Sequence, residues 1–145
     1  MALGYEMRRG NSRVQGFYGG DLSFSLSNNN LSKLRRYSKK IKADAIITSQ
    51  KKLPIAVLTA DCVPVLLYDK KKNMIAVIHA GWKGAFKGVI KNVISFMLKK
   101  GCRKNDIIAA IGPCIGLKSY NVGENLKKKF LKKDKKKKIF FRNIK

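Results

Sequence analysis

The segment Thr59–Leu67 (TADCVPVLL), followed closely by Ala76–Gly84 (AVIHAGWKG), decides the fold of this chain. Each segment carries an apolar run, and the polar turn Asp69–Asn73 lies between the two runs, so we expect two neighbouring strands joined by that turn. Cys62 lies just before the first run. His79, the only histidine of the chain, lies at the end of the second run, 17 residues later. Pairing of the two strands would therefore bring this cysteine and this histidine together.

A cysteine and a histidine that meet in this way allow two kinds of chemistry. A thiolate and an imidazole can hold a soft or borderline transition metal, and they can also form a nucleophile and its base. A histidine beside a core strand is nevertheless more often structural, and a single buried cysteine behaves as a small apolar side chain. Spacing alone leaves a metal site, a catalytic pair and a structural role open for Cys62 and His79.

The composition indicates one basic globular domain. The chain has 145 residues, 45% of them apolar, which suffices for a single core. Its net charge of +25, from 33 Lys and Arg against 8 acidic residues, favours nucleic acid, anionic surfaces or phosphate-bearing substrates. An A+T-rich coding sequence also enriches lysine, and it explains the same charge without any binding partner. Because aromatic residues do not alternate with the basic ones as a stacking platform requires, we predict no specific nucleic-acid partner.

The cysteines and the apolar runs indicate the compartment. Cys62, Cys102 and Cys114 are odd in number and lie at no zinc-ribbon spacing. Residues 1–10 show no secretory leader, and the longest apolar runs fall far short of the about 20 residues that a membrane span needs. We therefore expect reduced thiols, no membrane partner and a cytoplasmic location.

The apolar pattern predicts a series of strands and one long helix. The predicted strands are Ala43–Thr48, Pro54–Thr59, Val63–Tyr68, Met74–Ile78 and Asp106–Ile111. The first four are apolar throughout, which is typical of strands buried on both faces. From Phe86 to Leu98, apolar residues recur at helical spacing, with lysines on the opposite face and Gly101 as the cap.

The remaining segments are predicted less sharply. Leu31–Lys42 is compatible with a short helix or a linker, and Tyr120–Phe130 begins another helix. Lys132–Lys138 repels itself and is expected to be solvated or disordered.

The loop Gly81–Gly84 (GWKG) connects the histidine strand to the long helix. Its glycines would let the backbone approach a ligand, and the following N–H groups and Lys83 would favour phosphate or a carboxylate. A packing turn with Trp82 as a hydrophobic plug explains the same residues equally well. Both interpretations remain open at this point.

Five ordered blocks of the chain resemble the YfiH family, formerly called polyphenol oxidases or multicopper laccase-like proteins and now understood as purine nucleoside phosphorylases. The matching blocks are Ala43–Thr48, Thr59–Pro64, His79–Gly84, Ile111–Ile115 and Tyr120–Gly123. The resemblance implies an α+β fold in which mixed β-sheets are flanked by helices. It divides the chain into a poorly matched segment 1–42, a core domain 43–130 and a Lys-rich tail 131–145. The family fold is expected to be incomplete at both ends.

The resemblance also implies an activity. Family members split adenosine or inosine with phosphate into the free base and ribose 1-phosphate, they also accept S-methyl-5'-thioadenosine, and they deaminate adenosine. They use one mononuclear metal, zinc or copper. The resemblance places the metal on Cys62 and His79 and adds Asp61 to these two as a catalytic residue. Gly81, Lys83 and Gly84 are the implied phosphate-binding residues, with Lys83 where many relatives have arginine.

One expected ligand is missing from this chain. The third metal ligand of the family is an upstream histidine, expected near residues 24–28, where the sequence reads FSLSN. Catalytic zinc normally has three protein ligands and one open position. Asp21, Asp44, Asp61 or water would have to complete the set. A domain that lacks edge strands also exposes apolar surface, which favours a partner chain such as a second copy in a homo-oligomer.

Four functional hypotheses follow from the sequence. The first is the metal-dependent phosphorylase and deaminase. The second is a non-catalytic remnant of the family without a complete metal site, and the third is a basic nucleic-acid-binding module. The fourth is a thiol-dependent hydrolase in which Cys62 is the nucleophile and His79 is the base.

Overall fold

The computed structural model describes residues 12–18 and 21–27, of which only the course of the strands is given, and residues 43–142. Six strands form one sheet: β1 (Ser12–Tyr18), β2 (Asp21–Ser27), β3 (Ala45–Thr48), β4 (Val63–Asp69), β5 (Met74–Ala80) and β6 (Ile107–Ile111). Their order in the sheet is β2-β1-β3-β5-β4-β6. All five pairings are antiparallel, whereas the family resemblance implies mixed sheets.

The hairpin of β4 and β5 is the centre of this sheet. Val65 lies opposite Ile78 and Leu67 opposite Ala76, while β3 adds Ala45 opposite Ile78. All five side chains are buried. These residues share one face because side chains alternate along a strand. The hairpin that the two decisive segments predict is therefore confirmed.

Two helices follow β5 and cover the buried face. They are α1 (Trp82–Lys87) and α2 (Val89–Lys99), and Gly88 separates them with a φ of 88°. The single helix predicted over this segment is thus interrupted, because Gly88 adopts the left-handed conformation that glycine alone tolerates easily. Val93 and Met97 on α2 are fully buried, as the apolar periodicity predicts. No helix within residues 43–142 is long and apolar enough to cross a bilayer.

Within the described residues, the opposite face of the sheet is partly exposed, although Val77 of β5 is buried there. Leu66 and Tyr68 on β4 are 47% and 40% exposed, and Ile108 on β6 is 64% exposed. The prediction of strands buried on both faces is therefore wrong for β4, because within the described residues the helices pack against one face only. An apolar run does not distinguish burial on two faces from burial on one.

A second correction concerns Pro54–Thr59. This segment is extended but pairs with no strand among the described residues, and Leu58 is 95% exposed. Apolar content and β-branched residues predict a strand there, yet a strand also needs a neighbour for its backbone groups. The strands predicted at Ala43–Thr48, Val63–Tyr68, Met74–Ile78 and Asp106–Ile111 are confirmed to within two residues at each end. The segment Leu31–Lys42 lies outside the described residues.

Residues 115–142 belong to a separate compact unit. Its helix α3 (Glu124–Lys133) confirms the helix predicted to begin after Tyr120, and a 3₁₀ helix (Lys135–Phe140) follows. The rings of Phe130 and Phe141 meet edge to face, with centroids 6.0 Å apart. The four lysines at residues 135–138 lie within this 3₁₀ helix, so this part of the lysine run is not disordered.

Replacement of Met97 by alanine tests the packing of α2. Met97 is fully buried against the sheet, so Met97→Ala should lower the free energy of unfolding by about 2–5 kcal/mol. Lys91→Ala, at an exposed position of the same helix, should change it by no more than about 0.5 kcal/mol. Urea unfolding measures both values, and equal effects of the two substitutions would contradict the burial of this face.

Cys102 belongs to the same core. Its side chain is 5% exposed, and Sγ lies 3.9 Å from Sδ of Met74. Burial, and after it the hydrogen bond and the charge of the nearby Asp69 carboxylate, raise the pKa of Cys102 to about 12. The pKa of this thiol in the unfolded chain is about 8.5. Between that pH and the folded pKa, the folded chain therefore binds one proton more than the unfolded chain. The stability that this group contributes is present below that pH and is lost as the pH rises toward the folded value.

Alkylation at about pH 8.5 tests this burial, because only the thiolate reacts. Iodoacetamide should modify the exposed Cys114 rapidly and should spare Cys102 until urea unfolds the chain. Peptide mass spectrometry follows each site separately. Similar rates at the two cysteines in the folded protein would contradict the protected position of Cys102.

Candidate functional site

The pairing of β4 with β5 places Cys62 and His79 at one end of the sheet. Pro64 lies directly opposite His79 in the ladder. Cys62 lies in the bend directly before β4, two residues before Pro64. Val65 and Ile78, the neighbouring pair, point to the core. His79, which alternates with Ile78, therefore faces away from α2. Both candidate residues are half-buried.

Gly81 shows that the two side chains converge. A Cβ atom at Gly81 would lie 3.2 Å from Sγ of Cys62 and 3.5 Å from Nε2 of His79. The sulfur and the nitrogen therefore cannot be farther apart than the sum of these two distances. Both atoms border the small hollow that the missing side chain of Gly81 leaves. A thiolate and an imidazole at the edge of one hollow are suitable donors for a zinc or copper ion.

Asp44 holds His79 in this place. Its carbonyl oxygen accepts a hydrogen bond of 2.6 Å from the backbone N–H of His79. Its carboxylate Oδ1 lies 3.3 Å from Nδ1 of the same residue, and the two side chains are only 20% and 32% exposed. The sequence predicts Asp44 only as one of several groups to complete a metal site. Its contact with Nδ1 could have been anticipated only from the strand register, which places the residue before β3 beside His79.

A third protein donor is not found in residues 43–142, because no three His, Cys, Asp or Glu side chains cluster there. Asp44 contacts Nδ1 of His79, whereas Nε2 is the ring nitrogen 3.5 Å from the Cβ position at Gly81. Asp61 is exposed in the bend before Cys62. The backbone of Asp21 lies in β2, three strands from β5. That separation is about 14 Å, too far for a shared ion. Residues 24–27, where the upstream histidine is expected, lie in the same distant strand.

The predicted phosphate residues have different environments. Gly84 is buried, and a Cβ there would lie 3.3 Å from Cγ1 of Val89 and 3.7 Å from the carbonyl oxygen of His79. This glycine therefore lets α1 approach the strand that carries His79. Lys83 is exposed, and its Nζ lies 5.5 Å from the centre of the Trp82 ring. Trp82 is 36% exposed, so it does not form a fully buried plug.

The loop after β6 lies beside the same hairpin. Gly112 donates a 3.0 Å hydrogen bond to the carbonyl oxygen of Pro64. A Cβ at Gly112 would come within 2.9 Å of the Pro64 ring, so only glycine fits there without a shift. Cys114, two residues later, is exposed rather than buried as expected. This loop supports the strand that follows Cys62, and its own cysteine is not part of the core.

The family described as "Multi-copper polyphenol oxidoreductase laccase" has a model that matches residues 25–145. The chain belongs to this family. The resemblance carried by the five sequence blocks is thereby confirmed. Cys62, His79 and Gly81 all lie within the matched range.

Solved structures of the family share the fold. The Neisseria meningitidis protein NMB0706 is 33% identical, with a TM-score of 0.63 over 71% of this chain and 41% of its own. YfiH of Bacillus licheniformis is 35% identical, with a TM-score of 0.58 over 60% of this chain and 33% of its own. The α+β class and the helix-flanked sheet are therefore confirmed.

Curated relatives of this family member are named purine nucleoside phosphorylases. One from Rickettsia prowazekii is 44% identical over 102 residues, which are 70% of this chain and 42% of the relative. One from Bacteroides thetaiotaomicron is 44% identical over 90 residues, 61% of this chain and 33% of the relative. The chain thus spans about two fifths of the length of the Rickettsia relative and about one third of the Bacteroides one.

Gly81→Ala tests the shared hollow. Gly81 has φ −68° and ψ 163°, which alanine adopts without strain, so the added methyl group acts only on Cys62 and His79. We expect binding of cobalt(II), followed by its thiolate charge-transfer absorption, to weaken at least about 10-fold, because small displacements of ligands cost this much.

Gly123→Ala is the matched control. Gly123 also precedes a helix, has nearly the same backbone angles of −72° and 156°, and has open space where the methyl group would lie. It should leave cobalt affinity unchanged. Equal affinity of the Gly81→Ala variant and the unchanged protein would show that the two donors do not meet over Gly81.

Proposed function

We propose that this chain carries the metal and phosphate site of a purine nucleoside phosphorylase. The reaction joins phosphate to the sugar of adenosine, inosine or S-methyl-5'-thioadenosine and releases the purine base. The second product is ribose 1-phosphate from the first two substrates and 5-methylthioribose 1-phosphate from the third. The observation that supports the proposal most is the convergence of Cys62 and His79 on the hollow over Gly81. Membership of a family with relatives named for this activity gives the substrate class.

Cys62 and His79 would be two of the ligands of one zinc or copper ion. Their atoms are of the types that these ions prefer, and the absence of a side chain at Gly81 leaves space beside both of them. The remaining coordination positions would fall to water, substrate or a group outside residues 43–142. When bound, such an ion polarises a substrate oxygen or a water molecule as a Lewis acid.

The phosphate would be held by residues of the loop after β5. The ammonium group of exposed Lys83 can approach an anion, and Gly81 lets the backbone come close to it. The net charge of +25 raises the local concentration of phosphate around the whole chain. Gly84 would act indirectly, by seating α1 against the strand of His79.

Asp61 would handle a proton at the same site. It directly precedes Cys62 and is exposed, so a substrate could reach its carboxylate. In the proposed deamination of adenosine, water replaces the amino group, which leaves as ammonia, and this exchange requires a proton transfer. Inosine, the product, would then enter the phosphorolysis.

Incubation of the purified chain with inosine, phosphate and zinc tests the proposal. We expect hypoxanthine and ribose 1-phosphate, and ammonia when adenosine is supplied. Cys62→Ser and His79→Ala should each reduce the rate more than about 100-fold, because loss of a ligand costs more than loss of an outer-shell partner. Cys114→Ser removes an exposed cysteine outside the site and should keep the full rate.

The outcomes separate the functional hypotheses. Absence of both products with zinc present would contradict the phosphorylase proposal. If the chain also retains less than one metal ion after dialysis, it is a non-catalytic member of the family. Product formation that all four proteins share would instead indicate a contaminating enzyme.

A thiol-dependent reaction is a second candidate, favoured by the contact of Asp44 with Nδ1 of His79. A thiol, an imidazole and a carboxylate in this order are the components of a nucleophile with an oriented base. The sulfur of Cys62 would attack an acyl carbon and form a thioester, and His79 would protonate the leaving group before water releases the acid. This candidate predicts activity toward thiol-reactive esters that survives a chelator. Loss of that activity with the metal would contradict it.

A further inference from the structure

Asp44 adjoins the candidate site, and its carboxylate lies 3.3 Å from Nδ1 of His79. We propose that Asp44 is a positioning residue that keeps the proton of the neutral imidazole on Nδ1 and directs the lone pair of Nε2 toward the sulfur of Cys62. The proposal rests on the proposed metal-dependent function, because a shared ion needs this nitrogen free.

The hydrogen-bonding capacity of imidazole supports this role. A neutral ring has one N–H and one acceptor nitrogen, and the bond made by one nitrogen decides the state of the other. A carboxylate only accepts, so a hydrogen bond with Oδ1 of Asp44, which lies 3.3 Å from Nδ1, favours the neutral tautomer with its N–H on Nδ1. Nε2 then carries the lone pair, and it is the ring nitrogen that borders the hollow over Gly81, 3.5 Å from the Cβ that alanine would place there.

The main chain makes this arrangement rigid. The backbone N–H of His79 donates to the carbonyl of Asp44 at 2.6 Å, and Ala45, the next residue, is fully buried opposite Ile78 in the sheet. Asp44 and His79 are thus fixed to each other both through the backbone and through their side chains. A carboxylate in this position also raises the basicity of a ligating imidazole.

Two substitutions at Asp44 test the proposal by cobalt(II) titration. Asp44→Ala removes the acceptor and should weaken cobalt binding about 10- to 100-fold. Asp44→Asn keeps a carbonyl oxygen that can accept from Nδ1, so it should recover most of the lost affinity. Glu124→Ala on α3 removes one negative charge from the same basic chain and should leave the affinity unchanged. Affinity of Asp44→Ala equal to that of the unchanged protein would overturn the proposal.

The tautomer of His79 provides a readout that does not need a metal. His79 is the only histidine, so its ¹⁵N resonances in the metal-free protein need no further assignment. At a pH well above the ordinary imidazole pKa, we expect the Nδ1–H form in the unchanged protein and in Asp44→Asn, and a mixture in Asp44→Ala. An unchanged tautomer in Asp44→Ala, with the fold verified by circular dichroism, would overturn the proposal.

The two readouts separate this inference from the proposed function. If the unchanged protein binds no cobalt, the metal-dependent function fails, and the tautomer alone decides the role of Asp44. If it binds cobalt and neither substitution changes the affinity or the tautomer, the metal centre stands and Asp44 does not position His79.

Discussion

The antiparallel pairing of Pro64 with His79 is the constraint on which the site depends. It brings together a cysteine and a histidine that are 17 residues apart, and both side chains border the space over Gly81. A slip of one residue would turn one side chain into the core and leave the other outside. The buried pair Val65 and Ile78 opposes such a slip, because one of the two would then be exposed. The packing of the core and the geometry of the site are thus set by the same register.

Small residues then allow the surrounding segments to approach this hairpin. Gly81 leaves space where the two donors meet, Gly84 seats α1 on the strand of His79, and Gly112 lets the loop after β6 pack on Pro64. Gly81 and Gly112 lie in two of the five sequence blocks that carry the family resemblance, and both of these segments contact the central hairpin. Family membership and local packing therefore point to the same few residues. The excess of lysine adds a positive electrostatic field that attracts phosphate but does not determine where phosphate binds.

Much of this arrangement could be predicted from the sequence, because hydrophobic runs of strand length and helical periodicity are local signals. The hairpin, the helical face of Val93 and Met97, and the approach of Cys62 to His79 follow from such signals. The unpaired course of Pro54–Thr59 and the open face at Leu66 do not, since each depends on which neighbours are present in space. From the sequence, Asp44 is predicted only as an alternative metal ligand. Its contact with Nδ1 of His79 depends on the order of the strands in the sheet, which is not a local signal.

X-ray absorption at the zinc edge, on the purified chain loaded with one equivalent of zinc, is the most direct test of the central claim. We predict one sulfur at about 2.3 Å and one imidazole nitrogen at about 2.0–2.1 Å in the first shell, with the other positions filled by oxygen or nitrogen. A shell without sulfur, or with sulfur and no imidazole, would show that Cys62 and His79 do not share an ion, and the proposed site would be wrong.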